Sequence, residues 1–278
     1  HPGKVMELKK KMPDVIEGPI VAFGGLNYDI DSDDWLVEAG DNDIESRGID
    51  YFVSDSTRSG YHYLPYTLTE VDAIAEIANN NSIPITVYTG NSGVEERYYQ
   101  LHDDRSPQIL HLATHAIFLE DVILDNHEFN DDPLYYNAYQ DPMFRSRLVL
   151  SGANRVLKGK KLPTGVMDGI LTAHDVSTIL LPNTKLAVLS ACNTGIGGYD
   201  ASEGVYGLQR AFSSVGVQNL IITLMEVNDA STARFMKLFY EKLLNGSDYY
   251  TSFKNTQLEM LNSQYNLPAY WAGIVLIQ

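Results

Sequence analysis

The sequence contains a single cysteine, Cys192, and no long hydrophobic segment. One cysteine cannot form an internal disulfide, which argues against a disulfide-stapled secreted protein and favours a reducing compartment. No run approaches the roughly 18 apolar residues of a membrane-spanning helix, and the amino-terminal segment lacks the apolar core of a signal peptide. These absences predict a soluble, cytoplasmic protein without a membrane partner.

Positive charge is also scarce in this chain. There are 20 Lys and Arg residues against 36 Asp and Glu residues, and the formal net charge is -16. A surface of this sign repels phosphate backbones, so direct binding to nucleic acid is not expected. The chain begins with His1 rather than Met, and we expect residues 1–18 to be a tail or linker from a missing N-terminal region, with one domain at 19–278.

What the sequence does contain is an alternation of short apolar runs and amphipathic segments. This pattern predicts an α/β fold with a largely parallel central sheet flanked by helices. The runs "KLAVLSA" and "NLIITLM" are almost continuously apolar, as in central strands covered on both faces. The predicted strands lie within residues 19–26, 83–90, 108–116, 184–192, 219–227 and 270–278.

Helix signals separate these strands. Thr69 and Thr172 are predicted N-caps, and Ser92 with Glu95 has the spacing of a capping box. Gly216 follows an amphipathic segment and is a predicted helix stop. Residues 27–50 are strongly acidic and have no periodicity, so we interpret them as a solvated insertion; the EF-hand spacing of a calcium loop is not met.

Two histidines in "HLATH" suggest a metal site, since residues four apart share a helix face. The zinc-protease motif needs Glu after the first His, and Leu112 is there instead. The surrounding "QILHLATHA" is typical of a strand, in which His111 is predicted to be a hydrogen-bonded core or wall residue. His115 comes last in that strand, at the edge where ligand sites of parallel sheets form.

Cys192 ends another predicted strand at the same edge. If the two strands are neighbours, about 4.8 Å apart, His115 and Cys192 form a nucleophilic dyad. A lone cysteine beside Ala191 and Ser190 is more often a packing residue, so the spacing alone favours packing over chemistry. A phosphate-binding turn at "GIGGYD" is disfavoured, because Asp200 stands where the last Gly of the motif belongs.

Several blocks of the sequence resemble, in order and spacing, the CHAT domain of clan CD cysteine peptidases, which are relatives of caspases and separase. The resemblance extends from about Leu68 to Gln278 and is carried by "ILHLATHAIFLED", "DGILTAHDVSTILLPNTKLAVLSACNTGIGG", "SEGVYGLQRAFSSVGV", "DASTARFMKLFYEKLLNG" and "YWAGIVLIQ".

The resemblance implies a caspase-like three-layer fold and a cysteine endopeptidase that cleaves a specific partner protein. His115 would be the general base or acid and Cys192 the nucleophile, with the N–H groups of Ala116 and Cys192 binding the oxyanion. No metal or cofactor would be needed. A tetratricopeptide-repeat region or a regulatory partner would control a cytoplasmic bacterial protein in regulation or defence.

The chain departs from the family pattern at two places. Ala116 replaces the usual Gly after the histidine, and Leu224-Met225 stands where Leu-Trp is usual. A catalytically silent protein-binding module with the same fold is the competing hypothesis, since fold alone does not establish activity.

The substrate pocket is expected near the end of the strand after the nucleophile. Glu226 and Asp229 would favour a basic residue before the scissile bond, whereas Met225 would favour an apolar one. Asp229 also has an alternative explanation as the N-cap of the following helix.

Overall fold

The computed structural model describes residues 16–30, 60–118, 141–193, 201–225 and 227–278. These residues form an α/β domain with one eight-stranded sheet. No helix in the described ranges is both long and apolar enough to cross a bilayer. The strands are β1 Ile20–Leu26, β2 Ile85–Gly90, β3 Ile109–Phe118, β4 Ser146–Val149, β5 Ile170–Thr172, β6 Leu186–Asn193, β7 Asn219–Thr223 and β8 Ile274–Ile277. The helices are α1 Pro65–Asn80, α2 Glu95–Tyr99, α3 Pro142–Arg145, α4 Asn154–Leu157, α5 Ala173–Ser177, α6 Ala201–Ser214, α7 Asp229–Leu244 and α8 Tyr249–Leu261. Two single-turn 3₁₀ helices cover Asp103–Arg105 and Pro268–Tyr270.

The sheet has the strand order β2-β1-β3-β6-β7-β8. The neighbours from β2 to β7 run parallel, and β8 runs antiparallel to β7. One apolar cluster packs α5 and α6 against one sheet face, and a second packs α1, α7 and α8 against the other. The three layers confirm the predicted caspase-like architecture, and β3 and β6 lie at its centre.

Two short strands were not expected from the sequence. β4 pairs antiparallel with residues 116–118 of β3, and β5 pairs with β4. Because β4 supplies a partner there, β3 continues to Phe118 instead of ending at Ala116. β7 ends at Thr223, four residues before the predicted end, since its antiparallel partner β8 pairs only as far as that residue.

The helix signals were partly correct. Thr172 caps α5 in a complete capping box with Asp175, and Gly216 has a φ of +105° after α6. Thr69 is not an N-cap, because Pro65 already starts α1. Ser92 is not a cap either, since its hydroxyl bonds back to the Thr89 carbonyl over 2.7 Å.

His111 lies in the core on the α1 and α7 side of the sheet, as predicted. It has no exposed surface, and its Nε2 lies 2.8 Å from the Glu70 carboxylate of α1. Its Nδ1 lies 3.1 Å from the Tyr240 hydroxyl of α7. Burial raises the pKa of Tyr240 well above its ordinary value, so this phenol stays protonated and can donate to His111. These bonds connect both helices to β3 beneath the edge that carries His115.

Candidate active site

The two residues of the predicted dyad lie on neighbouring strands. β3 and β6 are parallel partners, and their register pairs His115 with Cys192 and Ala116 with Asn193. Neighbouring strands are about 4.8 Å apart, so the backbone satisfies the condition that the dyad requires. The structure describes the backbone of Cys192 but not its side chain. The catalytic roles of His115 and Cys192 are therefore predictions.

The imidazole of His115 is enclosed by two chain segments, one at the start of the acidic stretch 27–50 and one that follows this stretch. Its Nε2 lies 2.8 Å from the His62 carbonyl oxygen, and only 4% of the residue is exposed. The rings of Tyr28 and Tyr61 pack against it, with centroid distances of 5.0 and 5.4 Å. A carbonyl can only accept, so Nε2 carries the proton and donates it. This leaves Nδ1 as the basic atom of the neutral ring, and Nδ1 has no hydrogen-bond partner among the described residues.

Burial lowers the pKa of His115 below its ordinary value, because a charged imidazolium would lose its hydration. The hydrogen bond to the His62 carbonyl and the negative charge of Asp229 raise the pKa in part, and the His62 side chain lowers it. Near neutral pH the ring is therefore an uncharged base that can accept a proton.

We expect the pKa of His115 to lie below its ordinary value, which can be measured by NMR with a His115→Gln variant to assign the signal. As the pH falls below that value, the unfolded chain binds the proton before the folded protein does. The free energy of unfolding therefore decreases with falling pH through this window. Asp229→Asn should lower the pKa of His115 further. A pKa of His115 at or above its ordinary value would contradict this description of the ring's environment.

Tyr28 is fixed against His115 by a polar chain. Its hydroxyl lies 2.9 Å from Thr114 Oγ1, and the Thr114 hydroxyl donates to the Val149 carbonyl. Burial raises the pKa of Tyr28 far above its ordinary value and that of Tyr61 to about 12, so both phenols are neutral. Tyr28 belongs to the stretch interpreted as a solvated insertion, yet it is only 2% exposed, and for this residue that interpretation is wrong.

The predicted pocket residues lie around the end of β7. Met225 is half exposed and lies over Gly273, while Glu226 lies outside the described residues. Asp229 is the first residue of α7, and its charge acts on both His115 and Tyr28. It is not the N-cap: the Asn228 side chain accepts from the Ser231 N–H at 3.1 Å. Capping therefore does not account for Asp229.

The side chains of His111 and His115 have separate hydrogen-bond partners. His111 is bonded to Glu70 and Tyr240. His115 is bonded to the His62 carbonyl, in a different part of the core. Within the described ranges, no group of three or more His, Cys, Asp or Glu side chains is arranged to hold a metal ion.

Comparison with known proteins gives two findings. The family model described as the CHAT domain matches residues 25–278. The chain is also similar to Tetratricopeptide repeat protein 28 from Homo sapiens and from Mus musculus, with 34% identity over 109 residues in each case. Each alignment covers 39% of this chain but 4% of the relative, so the chain corresponds to a small part of those proteins.

Proposed function

The chain belongs to the CHAT domain family, a caspase-like family related to clan CD, and we propose that it is a cysteine endopeptidase. The observation that carries the proposal is the register that pairs His115 with Cys192 across β3 and β6. A buried histidine with one nitrogen bonded to a carbonyl, and with no partner for the other among the residues that the structure describes, has the form required of a general base.

In the proposed reaction, His115 Nδ1 takes the proton of the Cys192 thiol as the sulfur attacks the carbonyl carbon of a peptide bond. A carbon–sulfur bond forms, and the N–H groups of Ala116 and Cys192 bind the oxyanion of the tetrahedral intermediate. The carbon–nitrogen bond then breaks, and His115 returns the proton to the leaving amine. Water hydrolyses the resulting thioester with His115 again acting as base, which frees the acid product and the thiol.

The surroundings of His115 support both of its roles. Burial keeps the ring neutral before the reaction, so that it can accept the proton. Once it is charged, the His62 carbonyl and the carboxylate of Asp229 stabilise the imidazolium. The ring thus holds a second proton, on Nδ1, only while the reaction supplies one.

The proposal includes a specific protein substrate and control by a tetratricopeptide-repeat region or a regulatory partner. The similarity to a tetratricopeptide-repeat protein supports the second point. Residues 19–278 would form the catalytic domain and residues 1–18 a linker in a cytoplasmic bacterial protein. Asp229 and Glu226 remain candidates for binding a basic substrate side chain, and Met225 for an apolar one.

A catalytically silent binding module is the second candidate, because Ala116 stands where the family usually has Gly. Thiol reactivity separates the two, and the single cysteine makes the measurement specific to one site.

The rate of iodoacetamide alkylation of the native chain should be measured against pH. A dyad predicts that alkylation below the ordinary thiol pKa of about 8.5 is faster than that of a free thiol, because His115 takes the proton as the sulfur attacks, and His115→Ala should remove this excess rate. His102→Ala is the matched control, since this exposed histidine lies near the opposite end of β3. Alkylation only after denaturation, or an unchanged profile in His115→Ala, would support the silent module.

A further inference from the structure

Asn154, the first residue of α4, joins the two chain segments that surround His115. Its Oδ1 accepts from the Tyr61 N–H at 2.6 Å, and its Nδ2 donates to the Tyr61 carbonyl at 2.9 Å. The second Nδ2 hydrogen reaches the Asp29 carboxylate at 3.0 Å, and the backbone N–H of Asn154 donates to the Tyr28 carbonyl at 3.0 Å. One residue that is 1% exposed therefore bonds to both segments.

The approach of the second segment to this amide is close. A Cβ atom on Gly60 would lie 2.8 Å from Asn154 Oδ1, and the φ of Gly60 is +80°. Only glycine adopts this backbone conformation without strain and leaves room for the amide. The contact therefore depends on a glycine at position 60 and on the side-chain amide of Asn154.

The segments that Asn154 holds are the ones that contact the imidazole. Tyr28 and Tyr61 pack on the ring of His115, and the His62 carbonyl, one residue beyond Tyr61, accepts from its Nε2. A shift of this backbone would move the carbonyl that keeps the proton on Nε2. Nδ1 would then no longer be held as the basic nitrogen.

We propose that Asn154 is a positioning residue, which fixes the orientation and tautomer of His115 by bonding Tyr28 and Tyr61 in place. The inference rests on the proposed function for its catalytic meaning, whereas the orientation of the imidazole can be measured without any activity. Asn154 acts through the two tyrosines and the His62 carbonyl.

The test compares Asn154→Ala with Lys158→Ala in the full chain. Lys158 forms an exposed ion pair with Asp29, so its removal disturbs the same segment but leaves the bonds of the Asn154 amide intact. Two readouts are used: the NMR titration of His115 and the pH profile of Cys192 alkylation by iodoacetamide. The charged and titratable groups that act on His115 are Asp229 and His62, while Arg147 acts on Tyr61; none of them is altered in either variant.

In Asn154→Ala, the pKa of His115 should rise toward its ordinary value, because water admitted by the loosened walls relieves the burial that lowers it most. The weakened hydrogen bond to the His62 carbonyl acts in the opposite direction but is the smaller influence. The alkylation rate at neutral pH should fall by about tenfold to a hundredfold, the usual effect of misplacing a reacting group. Lys158→Ala should match the unaltered chain in both readouts. A folded Asn154→Ala with an unchanged His115 titration would overturn the proposal.

If Asn154→Ala does not fold, Asn154→Asp decides the question. Aspartate retains the acceptor for the Tyr61 N–H but loses both amide donations and faces the Asp29 carboxylate. The same direction of change is expected, and a folded variant with unchanged titration and alkylation would again overturn the proposal. Failure of the proposed function would look different: Cys192 of the unaltered chain would be unreactive, while the titration of His115 would still respond to Asn154.

Discussion

Cys192→Ala and His115→Ala should each lower the rate of peptide cleavage by at least about a thousandfold, since losing either member of a catalytic unit removes most of its contribution. The substrate is a peptide library, and the products are read by mass spectrometry. Both residues lie in the paired register of β3 and β6, so each variant removes one half of the proposed proton transfer.

His102→Ala should cleave the library as the unaltered chain does. Equal cleavage by Cys192→Ala and the unaltered chain would show that the activity has another origin. The sites of cleavage in the same data also distinguish the two pocket hypotheses. Cuts after Arg or Lys that slow in Asp229→Asn favour the acidic pocket, whereas cuts after Leu or Met favour one shaped by Met225.

Glu70→Leu should lower the free energy of unfolding by about 1–3 kcal/mol, the usual cost of leaving a buried polar group without its hydrogen-bond partner. Glu70 is 2% exposed and His111 is fully buried. In Glu70→Leu, the Nε2 atom of His111 would therefore lose its hydrogen-bond partner without gaining contact with water. The measurement is equilibrium unfolding in urea, with the same variant tested for alkylation of Cys192.

A triple variant provides the control for this effect. Glu70→Leu, His111→Leu and Tyr240→Phe together remove all three polar groups, and replacing both partners by apolar groups can be nearly neutral. We expect it to recover part of the stability lost in Glu70→Leu. If the losses in free energy of unfolding of the three single variants sum to the loss in the triple variant, the three groups do not act as a network.

The fold could be predicted from the sequence because its strands and helix caps produce local, periodic patterns of residues. The apolar strands β3 and β6 and the capping box at Thr172 each depend on a few neighbouring residues. The ends of the strands could not be predicted in the same way. β3 continues past Ala116 because a distant segment, β4, pairs with it, and no local pattern shows that partner.

The candidate site was likewise predictable only in part. His115 and Cys192 end two apolar runs, so their meeting follows from strand order once β3 and β6 are known to be neighbours. Tyr28 lies at the start of the long acidic stretch 27–50, whereas Tyr61 and His62 follow it. Their contacts with His115 depend on hydrogen bonds to Asn154, more than 90 residues away from Tyr61 in sequence. Such contacts leave no spacing signal in a single sequence.

The most direct test of the account uses a peptide acyloxymethyl ketone, which labels a cysteine only when the thiolate attacks it in a substrate-binding site. Intact-mass analysis and peptide mapping of the folded chain read the result. The dyad predicts one adduct, located on Cys192, that forms in the unaltered chain and in His102→Ala but forms far more slowly in His115→Ala. A folded chain that stays unlabelled, or equal labelling in His115→Ala, would contradict the assignment of His115 and Cys192 as a catalytic pair.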